Sequence, residues 1–220
     1  MPPIDDALEA YLASLDTAND QFLNDIEALE EEGLSPVEIL AFLAALDIAA
    51  YFIEDLGMST GINAYMVATE DILTALPFFG ATTETQLVAL QNIQRTMINN
   101  LTRNVASSVQ TSIAQGIVNG LDRNEIADLM SITVKGNRAD SVIVTMLSTY
   151  EQSVIASMTI DLPANTKWEY VGPRDEKNRP VCRQYLDAGY LTKKQIRDIK
   201  SDGFEFRGGW RCRHQWYPVT

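Results

Sequence analysis

Ile98-Asn99-Asn100-Leu101-Thr102-Arg103-Asn104-Val105-Ala106-Ser107-Ser108-Val109 lies in the middle of the longest regular pattern in the chain. Through it and on either side Leu87, Leu90, Ile93, Met97, Leu101, Val105, Val109, Ile113 and Ile117 recur every three or four residues, with Asn, Gln, Thr and Ser between them. That spacing predicts one helix closed by Gly120, opened by a capping box of Thr83 and Gln86. At 1.5 Å per residue such an element reaches roughly 50 Å, the length of a bundle spine or spacer. The fold class follows from it: mainly α, an elongated helical bundle, with a small α+β module where the helical period gives out near residue 160.

Working outward toward the N-terminus, Leu8, Leu12, Leu15, Asn19, Phe22, Ile26 and Leu29 alternate steps of four and three, the seam of a first helix that Gly33 ends. Ser35, Pro36 and Glu38 punctuate the start of a second helix, and Gly57 lies just beyond its expected end. Its apolar run from Val37 to Ile53 is broken by Glu38 and Asp47, which predicts a buried helix and not a membrane span. A third helix is expected from about Asn63 to Leu76, stopped by Pro77. Beyond the long element, Asp122 and Glu125 cap a helix containing Ile126, Leu129 and Met130, and another is expected from about Asn137 to Met158. Lys167-Trp168-Glu169-Tyr170-Val171 then alternates as a strand does, Pro180 opens a short helix, Thr192 caps a basic helix to about Lys200, and Phe204-Glu205-Phe206-Arg207 alternates again. Three regions are expected: an acidic helical region over 1–80, the long helix and a helical hairpin over 81–160, and a basic α+β module over 161–220.

Charge divides the chain in the same direction. Residues 1–94 hold seventeen Asp or Glu and no Lys or Arg, whereas residues 95–220 hold thirteen acids and seventeen bases, so the parts carry −17 and +4 of the net −13. Solvated helix faces account for the acidic part better than a docked basic partner does. The opening Met1-Pro2-Pro3-Ile4-Asp5-Asp6 has neither the basic start nor the apolar core of a secretory signal, which points to a protein made and used in the cytoplasm. With two cysteines in 220 residues the chain is no disulfide scaffold.

Several short motifs carry a resemblance. Gly120-Leu121-Asp122-Arg123-Asn124-Glu125-Ile126, Asn137-Arg138-Ala139, Tyr170-Val171-Gly172-Pro173-Arg174-Asp175, Arg179-Pro180-Val181-Cys182 and Gly208-Gly209-Trp210-Arg211-Cys212-Arg213-His214 follow one another in order. Together they resemble the head-morphogenesis domain of tailed bacteriophages, the family of Mu F-like minor head proteins, over about residues 110–220. The resemblance implies a non-enzymatic structural protein of the virion, located in the phage head or at the portal vertex and assembled in the host cytoplasm. Its implied partners are the portal, the major capsid protein, further copies of itself and nonspecifically bound packaged DNA, with no membrane. Gly172, Pro173, Asp175, Arg179, Gly208, Gly209 and Trp210 are then structural residues. The chain departs from the commoner family pattern, in which a second cysteine follows the first after two residues; here Gln184 and Tyr185 stand there.

The chemistry of the motifs points to one cluster. If Cys212 and His214 lie on a strand, alternate side chains share a face and both can meet Cys182. Cys and neutral His are zinc ligands, but a closed structural site needs four, and Asp175 or Asp187 would have to supply the last. Three outcomes stay open in this order: a hydrogen-bonded buried cluster, a zinc site, and a Cys182–Cys212 disulfide worth roughly 3 to 4 kcal/mol for a loop of about thirty residues. A Cys-His nucleophile and base oriented by Asp175 is a further alternative, as is a nucleic-acid-binding or nuclease-like module. For DNA the candidate contacts are Arg174, Lys177, Lys193, Lys194, Arg197 and Lys200, interleaved with Trp168, Tyr170, Tyr185, Tyr190, Trp210 and Trp216; the competing arrangement buries the aromatics as a core and leaves the charges as a solvated rim.

Overall fold

The computed structural model describes residues 2–75, 84–136 and 139–219, and its architecture is mainly helical with one small antiparallel sheet. The chain groups into two compact units that are discontinuous in sequence: one of residues 1–5, 66–94 and 141–220, the other of residues 6–65 and 95–140. The boundary expected at residue 160 thus falls inside the first unit.

The second unit is all helical. Helix α1 (Pro2–Glu31) ends where Gly33 takes a φ of 89° and its N–H donates to the Glu30 carbonyl. Its buried face includes Ala7, Tyr11, Leu15, Ala18, Phe22, Leu23 and Ile26, broader than the expected seam; Leu8, Leu12, Asn19 and Leu29 lie half-buried on the flanks. Helix α2 (Pro36–Ala45) opens with the expected capping box, in which the Ser35 N–H donates to Glu38 Oε2 at 2.8 Å. The single helix expected as far as Gly57 breaks, however, into two segments bent by 82°. Leu46 turns extended, and the Asp47 carboxylate accepts the Ala50 N–H at 3.2 Å, capping α3 (Ile48–Ala50), which runs on into a π-helical turn at Tyr51–Asp55. Asp47 is therefore a helix start, not an interruption within a helix. Among the described residues no single helix is long and apolar enough to cross a membrane.

Helix α4 (Met58–Ala75) begins five residues before the expected Asn63, and the expected end at Leu76 and Pro77 lies outside the described residues, as does Thr83. A Cβ on Gly61 would lie 2.9 Å from the Tyr11 Cα, so α1 and α4 touch almost backbone to backbone there. Helix α5 (Glu84–Asn119) is the long rod. Leu101, Val105, Val109 and Ile113 are buried as expected, but Ile93 and Met97 are exposed and Ile98 and Thr102 are buried instead. Successive steps of four advance about 40° around a helix of 3.6 residues per turn, so a stripe written in fours drifts off any one face. Thr102 is held by a 2.9 Å hydrogen bond with the Tyr11 hydroxyl. Helix α6 (Arg123–Gly136) is capped by Asp122, which accepts the Asn124 and Glu125 N–H groups, and Ile126 packs where a Cβ on Gly116 would stand 2.5 Å away. Phe22 meets Phe52 edge to face with 5.6 Å between ring centroids, and Tyr51 donates to Asp25.

The first unit carries most of helix α7 (Ala139–Met158, its expected start at Asn137 lying outside the described residues) and the three strands. Strands β1 (Lys167–Val171), β2 (Leu191–Thr192) and β3 (Gln215–Pro218) form an antiparallel sheet in the order β2-β1-β3. In register, Trp168 faces Leu191 on one side and Pro218 on the other, and Tyr170 faces Trp216. Helix α8 (Pro180–Ala188) starts on Pro180, and α9 (Lys193–Ile199) on a capping box of Thr192 and Gln195. Residues 204–207 form turns and not the expected alternating strand: Gly203 and Phe206 close i to i+3 and i to i+4 bonds with Lys200 and Asp202, and Arg207 sits at φ 51°.

The core of this unit is aromatic. Trp168, Tyr170, Tyr185, Phe204 and Trp216 are all buried, with Trp168 on Phe204 at 4.7 Å and Tyr170 between Tyr185 at 5.1 Å and Trp216 at 4.5 Å. Polar side chains of α7 fasten the last strand: Gln152 accepts the Trp216 N–H at 3.0 Å, while Glu151 accepts from Gln215 Nε2 and the Tyr217 hydroxyl, each at 2.8 Å.

Candidate functional site

The alternation of β1 turns Tyr170 inward, and the chain then bends at Gly172-Pro173. Pro180 starts α8 with its fixed φ, which places Cys182 in the first turn of that helix. From the other side comes the segment 207–214, where each glycine has a distinct role. Gly209 has a φ of 95°, a conformation L side chains rarely adopt. Gly208 is needed for space: a Cβ there would lie 2.2 Å from Cys182 Sγ and 3.2 Å from Cys212 Sγ. Arg179 Nη1 holds this turn by donating to the Gly208 carbonyl at 3.0 Å. Cys212 and His214 precede β3 and are not on a strand, so the turn, and not strand alternation, aims both side chains at Cys182.

The result is a closed cluster. Cys182, Cys212 and His214 are all buried, and one donor atom from each lies within 4.8 Å of the others. Both cysteines are free thiols. The Tyr170 hydroxyl stands 3.1 Å from Cys212 Sγ and 3.8 Å from Cys182 Sγ, and the Gly208 N–H donates to Cys212 Sγ at 3.3 Å. His214 stacks on the Tyr170 ring at 4.9 Å with only 6° between planes. Its Nε2 donates to the Pro173 carbonyl at 2.9 Å, which leaves the lone pair of Nδ1 facing Cys212 Sγ at 3.9 Å. Gly172 makes the stack possible, since a Cβ there would fall 2.3 Å from His214 Cδ2.

Electrostatics distinguishes the two sulfurs. The hydrogen bond between them pulls the Cys212 thiol down and, with burial, pushes the Cys182 thiol up. Burial raises the Tyr170 phenol far out of its usual range, and the neighbouring Cys212 adds to the effect. Arg207, fully buried beneath the turn, donates from Nη2 to Ser148 at 3.2 Å and Thr149 at 3.3 Å; burial lowers its pKa against the opposing pull of Cys212.

The expected fourth ligands stand elsewhere. Asp175 is exposed and engaged by Arg213 at 2.8 Å, which holds its carboxyl below the usual range, and it also accepts the Lys177 N–H. Asp187 pairs with Arg174 at 2.7 Å. Each carboxylate pairs with an arginine of its own, and neither belongs to the group of converging donor atoms. The orienting role once open to Asp175 is filled by a backbone carbonyl, that of Pro173. Tyr170 was legible as an inward-facing strand residue, yet nothing in its spacing announced its place over both sulfurs. Buried Arg207 gave no signal at all, since a basic residue beside glycines reads as surface.

The basic face is largely committed within the module. Arg174 pairs with Asp187, Arg197 with Glu205 at 2.5 Å, and Lys200 with Asp202. Lys193 lies over the Trp168 and Phe204 rings at 4.8 and 4.6 Å. Lys177 and Lys194 are exposed, as are Tyr190 and Trp210. Of the aromatics proposed to interleave with the charges, Trp168, Tyr170, Tyr185 and Trp216 are core. Compared with known proteins, the chain matches no family model, no curated protein and no solved structure.

Proposed function

We propose that this chain is a structural minor head protein of a tailed bacteriophage, one that joins the portal or the capsid interior during head assembly. The supporting observation is the convergence of its short motifs. Gly172-Pro173, Arg179 with Cys182, and Gly208 with Cys212 and His214 come from three separate stretches and meet at one buried cluster, where each contacts another of the set. Motifs spaced for closure in this way suit a fastening better than a reaction site, because His214 is buried, stacked on Tyr170, and has its outer nitrogen already bound to the Pro173 carbonyl. The helices before residue 95 carry the acidic surface offered to portal, capsid or another copy, and the closed module secures the opposite part of the sequence.

Crosslinking mass spectrometry of purified procapsids and virions tests this reading. The chain is expected at a fixed copy number, crosslinked to portal or major capsid protein, and His214→Ala is expected to prevent incorporation. Particles that lack the chain overturn the proposal. A nuclease activity that His214→Ala removes while assembly continues would favour the enzymatic rival instead.

A further inference from the structure

We infer that Cys182, Cys212 and His214 bind one zinc ion through Cys182 Sγ, Cys212 Sγ and His214 Nδ1, with the Tyr170 hydroxyl oxygen facing the fourth coordination position. Donor chemistry and spacing carry the inference. Zinc–sulfur bonds of about 2.3 Å and zinc–nitrogen bonds of about 2.0 Å in a tetrahedron place ligand atoms about 3.5 to 3.8 Å apart. Cys212 Sγ and His214 Nδ1 are 3.9 Å apart, all three donors fall within 4.8 Å, and Tyr170 Oη lies 3.1 and 3.8 Å from the sulfurs. Little movement is needed to close such a shell.

The surroundings fit a metal as well as the ligands do. His214 donates its outer nitrogen to the Pro173 carbonyl, the arrangement that fixes a metal-binding imidazole in its tautomer and ring orientation. Pro173 is itself steadied, since Asn178 Nδ2 donates to the same carbonyl at 2.8 Å. The Gly208 N–H points at Cys212 Sγ, as amides do around bound thiolates, and Gly208 must lack a side chain for the sulfurs to approach. Two thiolates also neutralise a divalent ion, so no net charge is buried.

The inference stands apart from particle membership and is tested on the purified chain alone. Protein prepared in reducing buffer is expected to carry about one zinc per chain by elemental analysis. Replacement by Co2+ should give thiolate-to-cobalt charge transfer and the visible bands of a tetrahedral ion, a readout that needs no variant to fold. Cys182→Ser, Cys212→Ser and His214→Asn should each lose the ion, and Tyr170→Phe should retain it but release it faster to a chelator. Less than about half a zinc per chain together with no uptake on titration with Zn2+ overturns the site. So does a Cys182–Cys212 disulfide in freshly isolated, metal-free protein.

Discussion

At the scale of single residues, Gly208 and Gly209 illustrate two different demands on the same amino acid. A methyl at 208 would collide with Cys182 Sγ at 2.2 Å, while at 209 nothing stands nearer than 3.9 Å and only the φ of 95° objects. Gly208→Ala is therefore expected to lower the unfolding free energy by about 1 to 3 kcal/mol through overpacking, and to weaken the thiol cluster with it. Urea titration with thiol accessibility as a second readout checks this. A Gly208→Ala protein as stable as the parent, with both thiols still protected, would refute the close approach. The rare residues of this region were legible as a cluster because Cys, His and Trp are few and gather in one string. What was hidden was the division of labour: a sequence records that two glycines adjoin, not that one supplies torsion and the other supplies space.

At the scale of elements, the seam between α7 and β3 turns on Glu151. Burial raises its pKa above the usual 4.5, although the Tyr217 and Gln215 hydrogen bonds and the Arg207 charge pull the other way. A carboxyl raised in the folded state is favoured there when protonated. Its stabilising contribution is complete below about the unfolded value and is lost as pH rises through the folded one. Exposed Asp175 and Asp202, both lowered by their basic partners, give slopes of opposite sign, so the informative quantity is the difference between parent and variant. Denaturation across acid to neutral pH is expected to show that Glu151→Gln gains stability relative to the parent as pH rises. A pH-independent difference would mean that Glu151 titrates alike folded and unfolded. Elements with local punctuation were readable in advance: Ser35, Asp122, Thr192 and Pro180 each start the helix expected of them, and β1 follows its period of two. The break at Asp47 was not, because Leu43 to Ile53 is apolar enough to continue a helix and only the capping bond to Ala50 shows that it restarts. Strand β3 was equally hidden, since its four residues are defined by pairing with β1 and by the side chains of α7.

For the whole molecule, charge limits what the basic end can hold. Arg174 and Arg197 are exposed but paired with acids of the module, Lys200 is paired too, Lys193 lies on aromatic rings, and of the six candidate contacts Lys177 and Lys194 are the exposed ones outside such a pair or ring contact. Two phosphate contacts predict a salt dependence of DNA affinity with a slope of only about −2 on logarithmic axes. The acidic residues 1–94 act against even that. Titration of duplex DNA over a range of salt should show weak, sequence-independent binding that Lys177→Ala with Lys194→Ala abolishes. A slope steeper than about −5 would require the ion pairs to open on DNA. The separate charge of the two ends was readable from composition, but the discontinuous units were not, since α4 and α5 each contribute residues to both.

The placement of tryptophan has a practical consequence. All three, Trp168, Trp210 and Trp216, belong to the unit that contains the sheet, and the all-helical unit has none. Indole emission during unfolding therefore follows that one unit, with two rings buried and Trp210 in solvent, whereas far-ultraviolet dichroism follows the helices of both. The gap between the two melting curves is a direct measure of how cooperatively the units unfold, obtained without a label or a mutation.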